Sequence, residues 1–152
     1  MSDSLVIIPT YNEKENVVKM IEAVLVLNQA FDVLIVDDGS PDGTADLVKA
    51  QMEKYANRVF LLERAGKQGL GTAYIAGFKW ALQRGFDYIF EMDCDFSHTP
   101  KDLIRLKKSC AENGAGVAVG SRYVKGGGVV NWPLKRRVMS RGASLYVNLI
   151  LW

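Results

Sequence analysis

Residues 91–98 read EMDCDFSH, with Asp93 and Asp95 flanking one cysteine directly after an apolar run. Two carboxylates at the end of a buried strand either solvate a turn or hold a cation. On an extended backbone, side chains at i and i+2 share one side. Asp93 and Asp95 could therefore present oxygens together to a hard ion such as Mg2+ or Mn2+, which keeps positions open for water and phosphate oxygens. Ser97 continues the alternation and could add a hydroxyl. Cys94 alternates the other way, toward the core. With His98, the sole histidine, it raises zinc as an alternative, but no second histidine exists for a two-histidine site.

Three other polar loops could do chemistry. In DDGSPDGT, Asp37–Thr44, Gly39 and Gly43 allow tight turns, Pro41 fixes one, and Asp42 or Thr44 could cap a helix. The adjacent Asp37 and Asp38 repel each other unless something relieves them, and their acceptors suit a ribose or a base. GKQGLGTAY, Gly66–Tyr74, invites a dinucleotide-binding reading, since Gly69 and Gly71 fit G-x-G-x-x-G, but Tyr74 stands at the third glycine. Lys67 is followed by Gln, so a phosphate-binding loop of the Walker type is also broken. What remains is a Gly-rich loop opening a helix, whose free N–H groups attract anions, with Arg64 and Lys67 adding charge. A Ser-His-Asp hydrolase lacks its G-x-S-x-G. From Ser121 to Trp152 there are six Lys or Arg and no Asp or Glu. In that stretch Lys135, Arg136, Arg137 and Arg141 could meet phosphate, and Trp132, Tyr146 and Trp152 could sit at a membrane interface.

The elements that must position these loops alternate. Strands are expected at Leu5–Pro9, Asp32–Asp37, Arg58–Glu63, Asp87–Asp93 and Gly116–Gly120, in apolar runs that suit burial on both faces. Helices are expected over 13–28, 44–56, 71–85 and 100–113. In the first, Val17, Met20, Ile21, Val24, Leu25 and Leu27 fall near one face. In the last, Thr99 suits the N-cap, Pro100 the first position and Asp102 the first turn. Strand–helix alternation predicts a mostly parallel α/β sheet with right-handed crossovers. Ligands bind such sheets beyond the carboxyl ends of the strands, where every polar motif above falls.

The chain has 152 residues, 49% hydrophobic and 24% charged, enough for one domain with a real core. A net charge of +2 gives no whole-molecule pull toward nucleic acid, and no nucleic-acid partner is expected. Two cysteines without framework spacing fit free thiols in a reducing compartment. The first residues lack a basic leader pattern, and the apolar tail is too short to span a bilayer. A cytoplasmic protein, peripheral at the membrane face, is expected.

Taken in order, IPTYNEKEN, IVDDGSPDGT, GKQGLGTAY, EMDCDFSH, VGSRYVKGGGVVNWP and SRGASLY resemble family 2 glycosyltransferases, and more narrowly the polyprenol (dolichol) monophosphate mannose synthases. The resemblance runs over essentially the whole chain. It implies a GT-A, Rossmann-like nucleotide-diphospho-sugar transferase fold, with residues 1–152 forming one catalytic domain that lacks its C-terminal acceptor-side segment. It implies that Pro9, Tyr11 and Glu13 cradle the nucleoside and that Asp38 contacts it. Asp37, Lys67 and Gly69, from the loops above, and Asp93 complete the donor set. It makes Asp93 and Asp95 the metal pair, with Ser97 beside them where the family often has Gln. Arg122 would reach donor or acceptor phosphate and, with Asp93 and Asp95, form the catalytic set. Arg136 or Arg137, with Ser140, would approach the lipid phosphate.

The implied reaction is inverting transfer of mannose from GDP-mannose to polyprenyl phosphate, with Mg2+ or Mn2+ as cofactor. The competing readings are a glucosyltransferase using UDP-glucose, a non-catalytic nucleotide-sugar-binding fragment, and a metal-dependent phosphohydrolase using Asp93 and Asp95 on water. A nicotinamide oxidoreductase is disfavoured by the broken glycine pattern. Oligomeric state is not legible from the sequence.

Overall fold

The computed structural model describes residues 2–27, 30–121, 128 and 133–151. The chain divides into two compact units, Met1–Ala118 and Val119–Trp152. The first is built in the order β1 (Ser4–Thr10), α1 (Val17–Leu25), β2 (Asp32–Asp37), α2 (Thr44–Lys54), β3 (Val59–Glu63), α3 (Leu70–Leu82), β4 (Tyr88–Glu91) and α4 (Asp102–Asn113). Among the described residues the strands form one parallel sheet in the order β3-β2-β1-β4.

That order explains the two layers of helix. The chain moves outward from β1 to β2 to β3 through α1 and α2, then returns across the sheet through α3 to β4. Right-handed crossovers in opposite directions place their helices on opposite faces. Alternate strand residues serve the two faces. Val6, Ile8, Val33 and Ile35 pack with Val17, Met20, Ile21 and Val24 of α1 and Val48 of α2. Leu5, Ile7, Leu34 and Val36 pack with Ala73 and Ala81 of α3. The α3 layer lies close to the sheet because Gly77 has no side chain: a Cβ there would sit 2.6 Å from Cγ2 of Ile7. The expected helical face of α1 is the buried one, although the helix begins at Val17 and Leu27 lies beyond its end.

Three expectations need correction. The fourth strand ends at Glu91, and residues 94–95 form a turn, so Asp93 and Asp95 stand beyond the ladder rather than on it. Residues 116–120 form no strand, and Val117 and Val119 are 80% and 79% exposed. An alternating apolar run becomes a strand only when a neighbour satisfies its N–H and C=O groups, and among the described residues none pairs with it. Helix α4 starts at Asp102, after a turn in which the Asp102 N–H donates to the Thr99 carbonyl at 2.9 Å; Thr99 does not cap it through its side chain.

In the second unit the described element is α5 (Leu134–Leu151). Its cations, Lys135, Arg136, Arg137 and Arg141, occupy the first half. Leu145, Tyr146, Leu149 and Ile150 in the second half are all more than 60% exposed. No helix of the described residues is long and apolar enough to cross a membrane.

Candidate functional site

Because all four strands run the same way, the polar loops that follow them emerge at one edge of the sheet. Helices change faces between β1 and β4, and a crevice at such a switch point is where open α/β sheets bind ligands. Tyr11 and Glu13 follow β1, and Asp93 and Asp95 follow β4, so these pairs flank that point. Their closeness shows in Cys94. Its thiol is buried in the core and is pushed up to about 12 by desolvation, reinforced by the carboxylates of Glu13, Asp95 and Asp93. Among the described residues no three His, Cys, Asp or Glu side chains converge as a metal site.

The loops after β2 and β3 are clamped together. The register that pairs Asp37 with Glu63 brings the next residues, Asp38 and Arg64, into contact. Arg64 donates from Nε to Oδ1 of Asp38 at 2.6 Å and from Nη2 to Oδ2 at 2.8 Å. The side chains are only 9% and 8% exposed, so this is a buried, two-pronged, charge-assisted pair. The Gln68 N–H adds a third bond to Asp38 at 3.2 Å. The Arg64 guanidinium, with Gln68 behind it, holds the Asp38 carboxyl below the usual carboxylate range. Arg64 also donates to Oγ1 of Thr72 at 2.9 Å, fastening the start of α3. Gly39, at a φ of 69°, lets the β2 loop lie against Gly66.

Asp37 is equally occupied. Its carboxylate accepts from Thr10 Oγ1 at 2.9 Å, from the Ser40 N–H at 2.9 Å and from Ser40 Oγ at 2.6 Å. The repulsion expected between Asp37 and Asp38 is thus relieved from inside the protein. Arg64, expected to add positive charge to an anion site, is neutralised by Asp38. Lys67 stays exposed, and its Nζ lies 4.6 Å from the centre of the Tyr11 ring, which brings the β3 and β1 loops together. Gly69 opens α3 at a φ of 98°. Pro9 is half-buried near the end of β1. Glu13 is half-buried and accepts from Nδ2 of Asn16 at 2.9 Å.

Asp93 and Asp95 are different. Met92 and Cys94 are buried while Asp93 is half-buried and Asp95 exposed. Oδ1 of Asp93 accepts from the Tyr74 hydroxyl at 3.1 Å, and Oδ2 has no donor among the described residues. Burial and the neighbouring Asp93 push the Tyr74 phenol upward, so it remains a donor. Asp95 accepts from the Ser97 N–H at 2.9 Å, and Ser97 holds its carboxyl below the usual range. Phe96, at a φ of 58°, ends the extended run, so Ser97 folds back on Asp95 instead of continuing along a strand. Two carboxylates with acceptors unfilled among the described residues are the type of oxygen donor that a hard divalent cation takes.

Arg122 lies outside the described residues, as do Trp132 and Trp152. In the second unit, Arg136 and Ser140 line an open hollow on α5 with Pro133, Lys135 and Met139, while Arg137 is exposed nearby. Reading the sequence missed the roles of Thr10, of Arg64 as partner to Asp38, and of Tyr74. The register of adjacent parallel strands could have revealed the first two, since Thr10 pairs with Asp37 and Arg64 follows Glu63. No local pattern announces the third.

The chain is 47% identical over 148 residues to a polyprenol monophosphomannose synthase of Mycolicibacterium smegmatis, covering 97% of this chain and 56% of that protein. It is 46% identical over 147 residues to an undecaprenyl-phosphate mannosyltransferase of Micrococcus luteus, covering 97% of this chain and 59% of that protein. It thus spans just over half the length of these curated relatives. Among solved structures, S. aureus TarS residues 1–349 align with a TM-score of 0.61 at 22% identity, over 82% of this chain and 40% of that one. That likeness concerns the fold, which is the GT-A fold expected from the motifs. The family model for glycosyl transferase family 2 matches residues 5–150, and the chain belongs to that family.

Proposed function

We propose that this chain carries the donor-binding and catalytic part of an inverting glycosyltransferase that moves mannose from GDP-mannose to a polyprenyl phosphate. The observation that carries the reading is the pair Asp93 and Asp95, standing at the sheet edge beside the loop of Tyr11 and Glu13 with oxygens unfilled among the described residues. The names of the two relatives support mannose and a polyprenyl phosphate.

In this reading Pro9, Tyr11 and Glu13 cradle the nucleoside, and Lys67 and the start of α3 at Gly69 face the diphosphate. Asp37 and Asp38 shape the pocket through Thr10, Ser40 and Arg64 more than by direct contact. When bound, a divalent cation such as Mg2+ or Mn2+ at Asp93 and Asp95 supplies charge stabilisation for the departing diphosphate. The acceptor phosphate, whose second pKa is about 6, is already an anionic nucleophile. The protein therefore needs no strong base; it needs cations that orient the acceptor, and Arg122, Arg136 and Arg137 with Ser140 take that role.

Helix α5 suits the cytoplasmic membrane surface, because it carries four cations, no acid and an exposed apolar second half. Residues 1–152 then act as one catalytic domain.

Calorimetric titration with GDP-mannose and UDP-glucose, each with and without Mn2+, tests the reading. Metal-dependent binding of GDP-mannose alone is expected. Preference for UDP-glucose would move the assignment to a glucosyltransferase, and hydrolysis of either sugar nucleotide without a lipid acceptor would favour a phosphohydrolase.

A further inference from the structure

We propose that Tyr74 is the positioning residue that orients Asp93 toward a divalent cation: its hydroxyl occupies Oδ1 and leaves Oδ2 as the oxygen offered to the ion. This rests on the metal reading of Asp93 and Asp95 above. The phenol oxygen lies 3.1 Å from Oδ1, and the two residues come from different elements, 19 positions apart. Both are half-buried, so the bond is partly shielded from water.

The fold places the hydroxyl with care. Tyr74 sits in the first turn and a half of α3, and its ring packs against the apolar cluster of Leu5, Ile7 and Leu34. Three residues later Gly77 lets the helix press onto Ile7 of β1, the strand next to β4. The ring is thereby anchored in the core while its polar tip reaches the end of β4. A carboxylate held this way cannot turn freely. Without the phenol, both oxygens of Asp93 would be available at once. Metal-binding carboxylates are commonly held by such outer hydrogen bonds, whose loss costs about 10- to 100-fold in metal affinity.

The two-oxygen mode also changes which ion is preferred. Ca2+ accepts a carboxylate through one or both oxygens, whereas smaller ions demand stricter geometry. Tyr74→Phe keeps the ring and its packing and removes only the hydroxyl. Binding of Mn2+ to the chain in saturating GDP, read by electron paramagnetic resonance, and its displacement by Ca2+ test the idea. The expected result is at least about a tenfold loss of Mn2+ affinity, with the Ca2+-to-Mn2+ preference shifted toward Ca2+ and an unchanged circular dichroism spectrum.

Equal Mn2+ affinity and an equal ion preference in wild type and variant would overturn the inference while leaving the metal site standing. A fall for both ions with an unchanged ratio would also overturn it, since the hydroxyl would then only support the fold. Absence of Mn2+ binding by the wild type would overturn the metal reading itself, and the role of Tyr74 with it. Should Tyr74→Phe lose its fold, Tyr74→Leu repeats the comparison on the same helix face.

Discussion

The protein has two aspartate pairs at the same edge of one sheet, and they do opposite work. Asp37 and Asp38 follow β2 and are buried, and together they accept six hydrogen bonds from Thr10, Ser40, Arg64 and Gln68. Asp93 and Asp95 follow β4, are half-buried and exposed, and keep oxygens without donors among the described residues. Both pairs read alike as acidic residues after a strand. What separates them is saturation. A carboxylate whose acceptors are filled by the protein is a fastener, and one with acceptors to spare can meet a ligand.

The largest break in that contrast comes from Arg64→Ala. It leaves the Asp38 carboxylate buried without its cation, a change that costs about 3–5 kcal/mol. Urea denaturation should show the loss directly, and a loss under 1 kcal/mol would mean the clamp is no fastener. Asp93→Asn should behave the other way. Stability should stay within about 0.5 kcal/mol of wild type, while metal-dependent nucleotide-sugar binding falls at least about tenfold. Were this variant strongly destabilised and still able to bind, the two pairs would have to exchange roles.

Acid sharpens the contrast further. Arg64 holds the Asp38 carboxyl below the usual carboxylate range, so the pair contributes stability that is present above the unfolded value and lost as pH falls through the folded one. Denaturation followed from pH 7 down to pH 3 should therefore show the gap between wild type and Asp38→Asn narrowing below about pH 4. Asp95, also lowered but exposed and held by Ser97, should leave that acid limb nearly unchanged when replaced by Asn. A small loss of stability is expected at Lys67→Ala, where losing an exposed contact with the Tyr11 ring should cost no more than about 0.5–1 kcal/mol in urea denaturation.

Much of this architecture was legible in advance. The runs at Leu5–Pro9 and Asp32–Asp37 are strands because their residues are apolar on both faces and bury on both. Residues 116–120 look similar, yet Val117 and Val119 stand exposed, because an apolar pattern states willingness to pair and not the presence of a partner. The site divided in the same way. Its loops could be placed at one edge from strand–helix alternation alone, but the glycine motif concealed its most informative residue. Tyr74, which breaks the dinucleotide pattern, is the residue that reaches Asp93.

The alternation of elements, hence a parallel sheet and the edge where its polar loops gather, can be read from the residues alone, together with the motifs of glycosyl transferase family 2. These depend on short-range periodicity and residue type. Which carboxylates keep acceptors unfilled among the described residues is set by packing. That choice depends on donors 19 to 27 residues away, Tyr74 for Asp93, Arg64 for Asp38 and Thr10 for Asp37. Such donors are brought within 3 Å or so by strand register and helix packing, and a hydrogen bond falls away too steeply with distance for sequence proximity to stand in for it.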